Sequence, residues 1–354
     1  MSEMLLPAQI NANGLLPFIA QLGSLESEDE IELDFTALRR VTPAGLAGLG
    51  AAVHRWKRNG RTVPFRGLGQ CEITGYLQRM DLFRVCGVDL PEDSRRHDAK
   101  GRFVSLRLVD HPVEQMGHEM AACLAPGGED WEHPMSSLYE MAWYVLTEAG
   151  NNIRQHSAGT GFAAAQVNRQ EGLVRLALAD NGMGILGSFR NAGLPWSAGM
   201  DDASAIVRAL EPRVSCKPND PNEGVGLTLV SELARLTKGW LLIVSGSGIL
   251  QISAGGAVKV STLPNSGYYH GTLFTLTLAQ ESARGFSELL HDAKIQQGNR
   301  IKRSGGIMAI IKCTFRKKAG RSLGCPKPTA SAKTSSNSKI RASHAASAIA
   351  FTTS

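Results

Sequence analysis

The sequence predicts a mixed α/β and α+β protein: a small α/β module, a larger α+β sandwich and a basic tail. Three observations carry that prediction. Strand-like and helix-like stretches alternate between residues 30 and 83. From residue 103 two helical stretches lead into a series of strands that favours helices on one side of a sheet. After residue 280 apolar periodicity fades into a Ser/Ala/Thr/Lys-rich end, which buries too little apolar surface to offset chain entropy.

In the first region, EIELDFTAL half-alternates as a strand does, and PAGLAGLGAAVHRWKRNG is an Ala/Leu-rich helix ending at Gly60. RTVPFRG reads as a second strand and EITGYLQRMDLF as a second helix. Residues 90–102 have no periodic apolar face and read as a linker. The expected division is therefore 1–95, 96–280 and 281–354.

The second region starts with the strand FVSLRLVD and the helices VEQMGHEMAACLA and SSLYEMAWYVLTEAGNNIRQHS. Strands GFAAAQVNR and GLVRLALAD follow, then a Gly-rich turn and a polar, Pro-containing stretch. The helix GLTLVSELARLTKG and the strands WLLIVSG, LQISA and GTLFTLTL complete it.

Composition excludes several classes. The formal net charge is +6, but the basic excess sits after residue 280, and residues 1–280 carry more acidic than basic side chains. A dedicated nucleic-acid surface needs basic residues clustered on a folded face, and none is expected. The six cysteines (Cys71, Cys86, Cys123, Cys216, Cys313 and Cys325) include no CxxC pair, so reduced thiols are expected rather than zinc or a disulfide framework. The N-terminus lacks a basic stretch before its apolar residues, and no apolar run is long enough for a membrane span, so a cytoplasmic protein is expected.

Three stretches carry chemistry. On the helix at 136–157, Glu148, Asn152 and His156 recur every four residues beside the apolar file Val145, Ala149 and Ile153. Gly150, Asn151 and Asn152 are poor helix formers in succession, which signals a demand other than helix stability. In LALADNGMGILG a strand ends in Asp180 and a turn with Gly182 and Gly184 lets backbone approach a ligand. Gly182, Gly184 and Gly187 also satisfy GxGxxG, but the stretch that follows lacks the second strand a dinucleotide fold requires. In NEGVGLTLV, Gly224 and Gly226 lead into an amphipathic helix, whose N-terminal amides suit phosphate.

In this order, and followed by GTLFTLTL, the three stretches resemble the N, G1, G2 and G3 boxes of the GHKL, or Bergerat-fold, ATPases. Within that superfamily they look most like the anti-sigma-factor serine kinases. The resemblance implies ATP and Mg²⁺ as cofactors, with Asn152 holding the metal and Glu148 as the catalytic acid/base. Asp180 would accept from the adenine amino group, with Gly182 and Gly184 close to the base and Thr272 as a further contact. Gly224, Gly226 and Leu227 would form the phosphate side, Lys217 would reach the terminal phosphate, and residues 185–223 would be a flexible lid with paired acids at Asp201 and Asp202. His156 ends the box in a secondary role, and His118 is a surface or packing residue rather than a phosphoacceptor.

Residues 33–50, LDFTALRRVTPAGLAGLG, resemble the strand-to-helix junction of STAS domains, the fold of anti-sigma-factor antagonists. Those domains carry a phosphorylated Ser/Thr before the glycine. Here that position is Ala44, which has no hydroxyl, so a docking module is expected rather than a phospho-switch. The implied partners are a sigma-factor regulator or STAS-type antagonist, an intramolecular contact between module and ATPase, and a homodimer. The expected function is an ATP-binding regulator with protein kinase or weak ATPase activity; the alternative is a nucleotide-gated interaction module without chemistry.

Overall fold

The computed structural model describes residues 2–92, 96–110, 112–211, 214, 226–283, 285–286, 288 and 290–292. Within them the chain is a mixed α/β structure organised around one large sheet.

The N-terminal part contains three parallel strands, β1 (Ser2–Leu5), β3 (Ile31–Asp34) and β5 (Phe65–Arg66), in the order β1-β3-β5. A second parallel pair joins β2 (Gln9–Ile10) to β4 (Arg40–Val41). Helices α1 (Leu15–Ser24), α2 (Pro43–Arg58), α3 (Thr74–Arg79) and α4 (Leu82–Val85) complete it. β1 and α1 have no counterpart in the sequence reading, because β1 is four residues long and its Leu5 is exposed.

The large sheet has seven strands, all antiparallel to their neighbours: β6 (Phe103–Leu108), β7 (Gly161–Asn168), β8 (Leu173–Asp180), β9 (Trp240–Gly246), β10 (Gly248–Ile252), β11 (Val258–Thr262) and β12 (Tyr269–Ala279). Their order is β11-β10-β9-β12-β8-β7-β6, so the last strand in sequence is inserted between β9 and β8 at the centre. An antiparallel sheet also removes the parallel βαβ frame that the GxGxxG reading would need.

Side-chain alternation divides the sheet into two faces. Ala163, Ala165, Leu176, Leu178, Leu241, Ile243, Phe274 and Leu276 lie in one core with α5 (Val113–Leu124), α6 (Ser136–Asn152) and α9 (Gly226–Leu236). Phe162, Ala164, Ala177, Ala179, Val244 and Leu273 point the other way, into a core shared with the N-terminal strands and helices. Twelve of the sixteen α2 residues are buried, so this helix is covered on nearly every side. Its composition follows: a Cβ on Gly50 would sit 3.0 Å from Leu106 Cδ2 and 3.6 Å from Phe162 Cδ1. The small residues of α2 and the alanines of β7 and β8 let helix and sheet approach closely.

At the strand-to-helix junction Thr42 precedes α2 and donates its hydroxyl to the Ile10 carbonyl at 3.1 Å. Ala44 is buried. Within the expected linker, Arg96 bonds both Glu92 and Asp81 at 2.9 Å. Order also continues past residue 280, where the expected tail begins, because Ala283 and Phe286 are buried in the core beside Tyr144. Among the described residues no helix is long and apolar enough to cross a membrane.

Filling the narrow gap beside α2 should strain both elements. Gly50→Leu is expected to lower unfolding free energy by about 1–3 kcal/mol, read as a lower urea midpoint with the slope unchanged. An unaltered midpoint would refute the close helix-sheet contact.

Candidate functional site

The helix α6 runs straight into a π-helical turn, Ile153–Ser157, closed by Ala158 at φ 54°. π turns shift the side-chain register, so the file read as Glu148, Asn152 and His156 is regular only to Asn152. All three residues nevertheless line one cavity of about 320 Å³. Asn151 lines it too, but its amide reaches Glu114 Oε1 at 3.4 Å. The Asn152 side chain makes no hydrogen bond among the described residues and is half-buried at the cavity wall.

Glu148 lies one helical turn earlier. Its carboxylate has no ion pair among the described residues, and burial pushes its pKa above the usual glutamate value. It rests against Gly226 at the start of α9, where an added Cβ would strike Glu148 Oε2. That contact explains the glycine: a side chain there would displace the carboxylate. Leu227 follows on the same wall.

The opposite wall is built by the central strand pairing. β8 ends at Asp180, which is almost fully buried, and β12 pairs with it through Leu273 opposite Ala179. The Asp180 carboxylate accepts from Gly182 N at 2.8 Å and Thr272 N at 3.2 Å. Gly271 adopts φ +119° and an added Cβ would collide with the Asp180 carbonyl, so this position admits only glycine. Burial nevertheless dominates and pushes the Asp180 pKa from 3.8 to about 7, against the pull of the two backbone N–H groups and the Thr272 side chain. Tyr269 nearby is buried, with its hydroxyl unpartnered among the described residues. A strongly shifted carboxyl facing a cavity marks a candidate functional group.

The turn after Asp180 is shorter than its glycines suggest. Gly184, at φ +70°, opens helix α7 (Gly184–Asn191), and Ile185 N donates to Ser245 Oγ at 2.8 Å. Ser245, on β9, also lies 3.3 Å from Thr272 Oγ1. Gly184 and Thr272 line the cavity; Gly182 does not, because its missing side chain makes room for the Ser157 carbonyl. Apolar walls come from Leu178, Ile185, Phe189, Ile243 and Phe274.

One cavity therefore joins Glu148, Asn152, His156, Asp180, Gly184, Gly226, Leu227 and Thr272. Lys217 and Gly224 lie outside the described residues. The expected flexible stretch 185–223 contains the rest of α7, a short helical turn at Pro195–Ser197 and helix α8 (Asp202–Ala209): Asp201 caps α8 by accepting from Ser204 N, and Asp202 accepts from Ser247 N at 2.8 Å. Asp201 thus caps the helix, and Asp202 ties it to the turn between β9 and β10. His118 is exposed and sits edge-on to Tyr139, hydrogen-bonded to its hydroxyl. Of the cysteines, Cys71, Cys86 and Cys123 are free thiols.

Sequence reasoning missed Ser245 and Asn181. Serine in a strand has no distinctive pattern, whereas Asn181 stands inside the quoted turn. Its Nδ2 donates to the Ala51 carbonyl of α2 at 3.2 Å and lies 3.1 Å from His54 Nδ1, while its Oδ1 accepts from Thr160 N at 2.8 Å. Helix α2 therefore holds the residue next to Asp180.

Among the described residues no group of three His, Cys, Asp or Glu side chains could hold a metal by itself. Compared with protein-family models and with curated proteins, the chain matches none.

The raised pKa sets a pH dependence. An unfolded-chain aspartate releases its proton at the ordinary 3.8, whereas folded Asp180 keeps it to about 7. Between those values the folded state binds more protons, so the Asp180 contribution is fully present below pH 3.8 and is lost as pH rises through about 7. Asp180→Asn should therefore gain stability relative to the wild type between acidic and mildly alkaline pH, measured as the difference in urea midpoints. A difference independent of pH would contradict the shift.

Proposed function

We propose that this chain is an ATP-binding regulatory protein. In this reading residues 96–280 form a Bergerat-type nucleotide domain resembling the anti-sigma-factor serine kinases, joined to a STAS-like module at residues 1–95. The observation that carries it is the convergence of four separated sequence stretches on one cavity: Glu148 and Asn152, Asp180 and Gly184, Gly226 and Leu227, and Thr272.

The residues present suit such a ligand. Asp180 is a buried acceptor for an adenine amino group, and the apolar walls at Leu178, Ile243 and Phe274 suit a planar base. Among the described lining residues there is no lysine or arginine, and Glu148 adds negative charge. A polyphosphate would therefore need a divalent cation and the amide end of α9. Mg²⁺ supplies charge neutralisation there, and a cation that keeps several waters needs few protein ligands. The unbonded Asn152 amide offers one neutral oxygen. Glu148, with its pKa raised by burial, is suited to take a proton from an attacking Ser/Thr hydroxyl of a protein partner or from water.

A second reading, a nucleotide-gated interaction module without chemistry, is favoured by the Glu148 carboxylate resting against Gly226. In that case ATP would act by binding one conformation better than another.

Calorimetry with Mg-ATP should show saturable binding that Asn152→Ala weakens by about tenfold or more, as expected for losing a charge-assisted contact. Absence of binding by the wild type would refute the proposal. With radiolabelled ATP and candidate partner proteins, transfer abolished by Glu148→Gln with ATP binding retained would support the kinase reading. ATP binding without transfer to any partner would favour the gated module.

A further inference from the structure

A second cavity of about 360 Å³ opens where the N-terminal module meets the turn after β8. Arg55, Arg58 and Asn59 of the α2 end line it together with Asn181, Tyr268 and His270. Ser157 lines both cavities, so the two adjoin; Asp180 faces the first, while Asn181 and Gly182 face the second.

Charge is unbalanced here. Three arginines, Arg55, Arg58 and Arg61, stand near two carboxylates, Glu26 and Asp202. Glu26 accepts from Arg55 Nε at 2.6 Å and from Trp56 Nε1 at 2.9 Å, which uses both oxygens. Arg61 is turned to the Leu25 and Glu26 carbonyls. Arg55 is thereby held with Nη1 on the Asn181 carbonyl at 3.2 Å, in a fixed orientation at the cavity wall. Arg58 is exposed and makes no ion pair or hydrogen bond among the described residues. Asp202, which acts electrostatically on Tyr268, is occupied by Ser247. Burial holds both imidazoles of this region below their usual pKa; Arg58 adds to this at His54, whereas at His270 the nearby Glu26 carboxylate opposes it more than Arg55 or Arg61 reinforces it. One pre-positioned guanidinium, one unpaired guanidinium and neutral side chains around a concave space form a receptor for a tetrahedral oxyanion.

We propose that this cavity binds phosphate or a phosphate monoester between Arg55 and Arg58, with Tyr268 and Asn59 as neutral hydrogen-bonding neighbours. The site stands independently of the nucleotide reading of the first cavity. A consequence that does rest on that reading is coupling, because Arg55 holds the carbonyl adjacent to Asp180. An anion that competes for Arg55 would alter the turn presenting Asp180, and ATP and phosphate would change each other's affinity by the same factor.

The test is calorimetric titration of the full chain with inorganic phosphate, at ionic strength held constant with sodium chloride. Saturable binding is expected, weakened about tenfold or more by Arg58→Gln, in line with the loss of a charged hydrogen bond. Arg58→Lys should restore part of it, and Asn152→Ala should leave it unchanged. Because Arg58 is exposed, the variants should keep the wild-type circular dichroism spectrum. No saturable binding, binding unaffected by Arg58→Gln, or binding lost in Asn152→Ala would each overturn the proposal. Phosphate binding that depends on Arg58 in a protein that fails to bind ATP would sink the nucleotide reading while sustaining this one.

Discussion

The arrangement depends on a buried carboxylate at the end of a central strand. Asp180 can be nearly solvent-free only because two backbone N–H groups reach it, one from its own turn and one from β12. The second exists because the final strand enters the sheet between β8 and β9, and because Gly271 lacks the Cβ that would block the approach. Burial still outweighs these donors, leaving a carboxyl poised near neutrality. A group of that kind is costly in a core whose only task is packing.

The same turn joins the two parts of the chain. Asp180 faces the first cavity, its neighbour Asn181 is bonded to the Ala51 carbonyl and beside His54, and Arg55 holds the Asn181 carbonyl. The close packing of α2 on the alanine-rich face of β7 and β8 makes those bonds short enough to form. Small side chains thus serve twice, setting the distance between helix and sheet and bringing polar groups of α2 to the turn.

Much of the element order was legible in the sequence, since helices such as α6 and strands such as β7 and β8 have clear apolar periodicity. Short or locally unremarkable elements were not. β1 is four residues long, β11 is largely exposed, and α7 begins at a glycine that reads as part of a turn. The stretch expected to be loose contains α8, because Asp201 and Asp202 find amide partners, one within the helix and one on Ser247 far along the chain. A local reading sees two acids in a polar segment and cannot see those partners.

By itself the sequence determined the residue types and spacings of the site: an acid and an amide one helical turn apart, an acid ending a strand, and glycines where backbone must approach closely. Local periodicity and glycine's missing side chain are properties of short stretches, so they survive without a fold. Only the tertiary structure decided that Glu148, Asp180, Gly226 and Thr272 share one cavity, that Gly182 serves Ser157 instead, and that Asn181 belongs to α2. Those outcomes follow from strand order and helix-sheet distance, which are set by contacts between residues far apart in the chain.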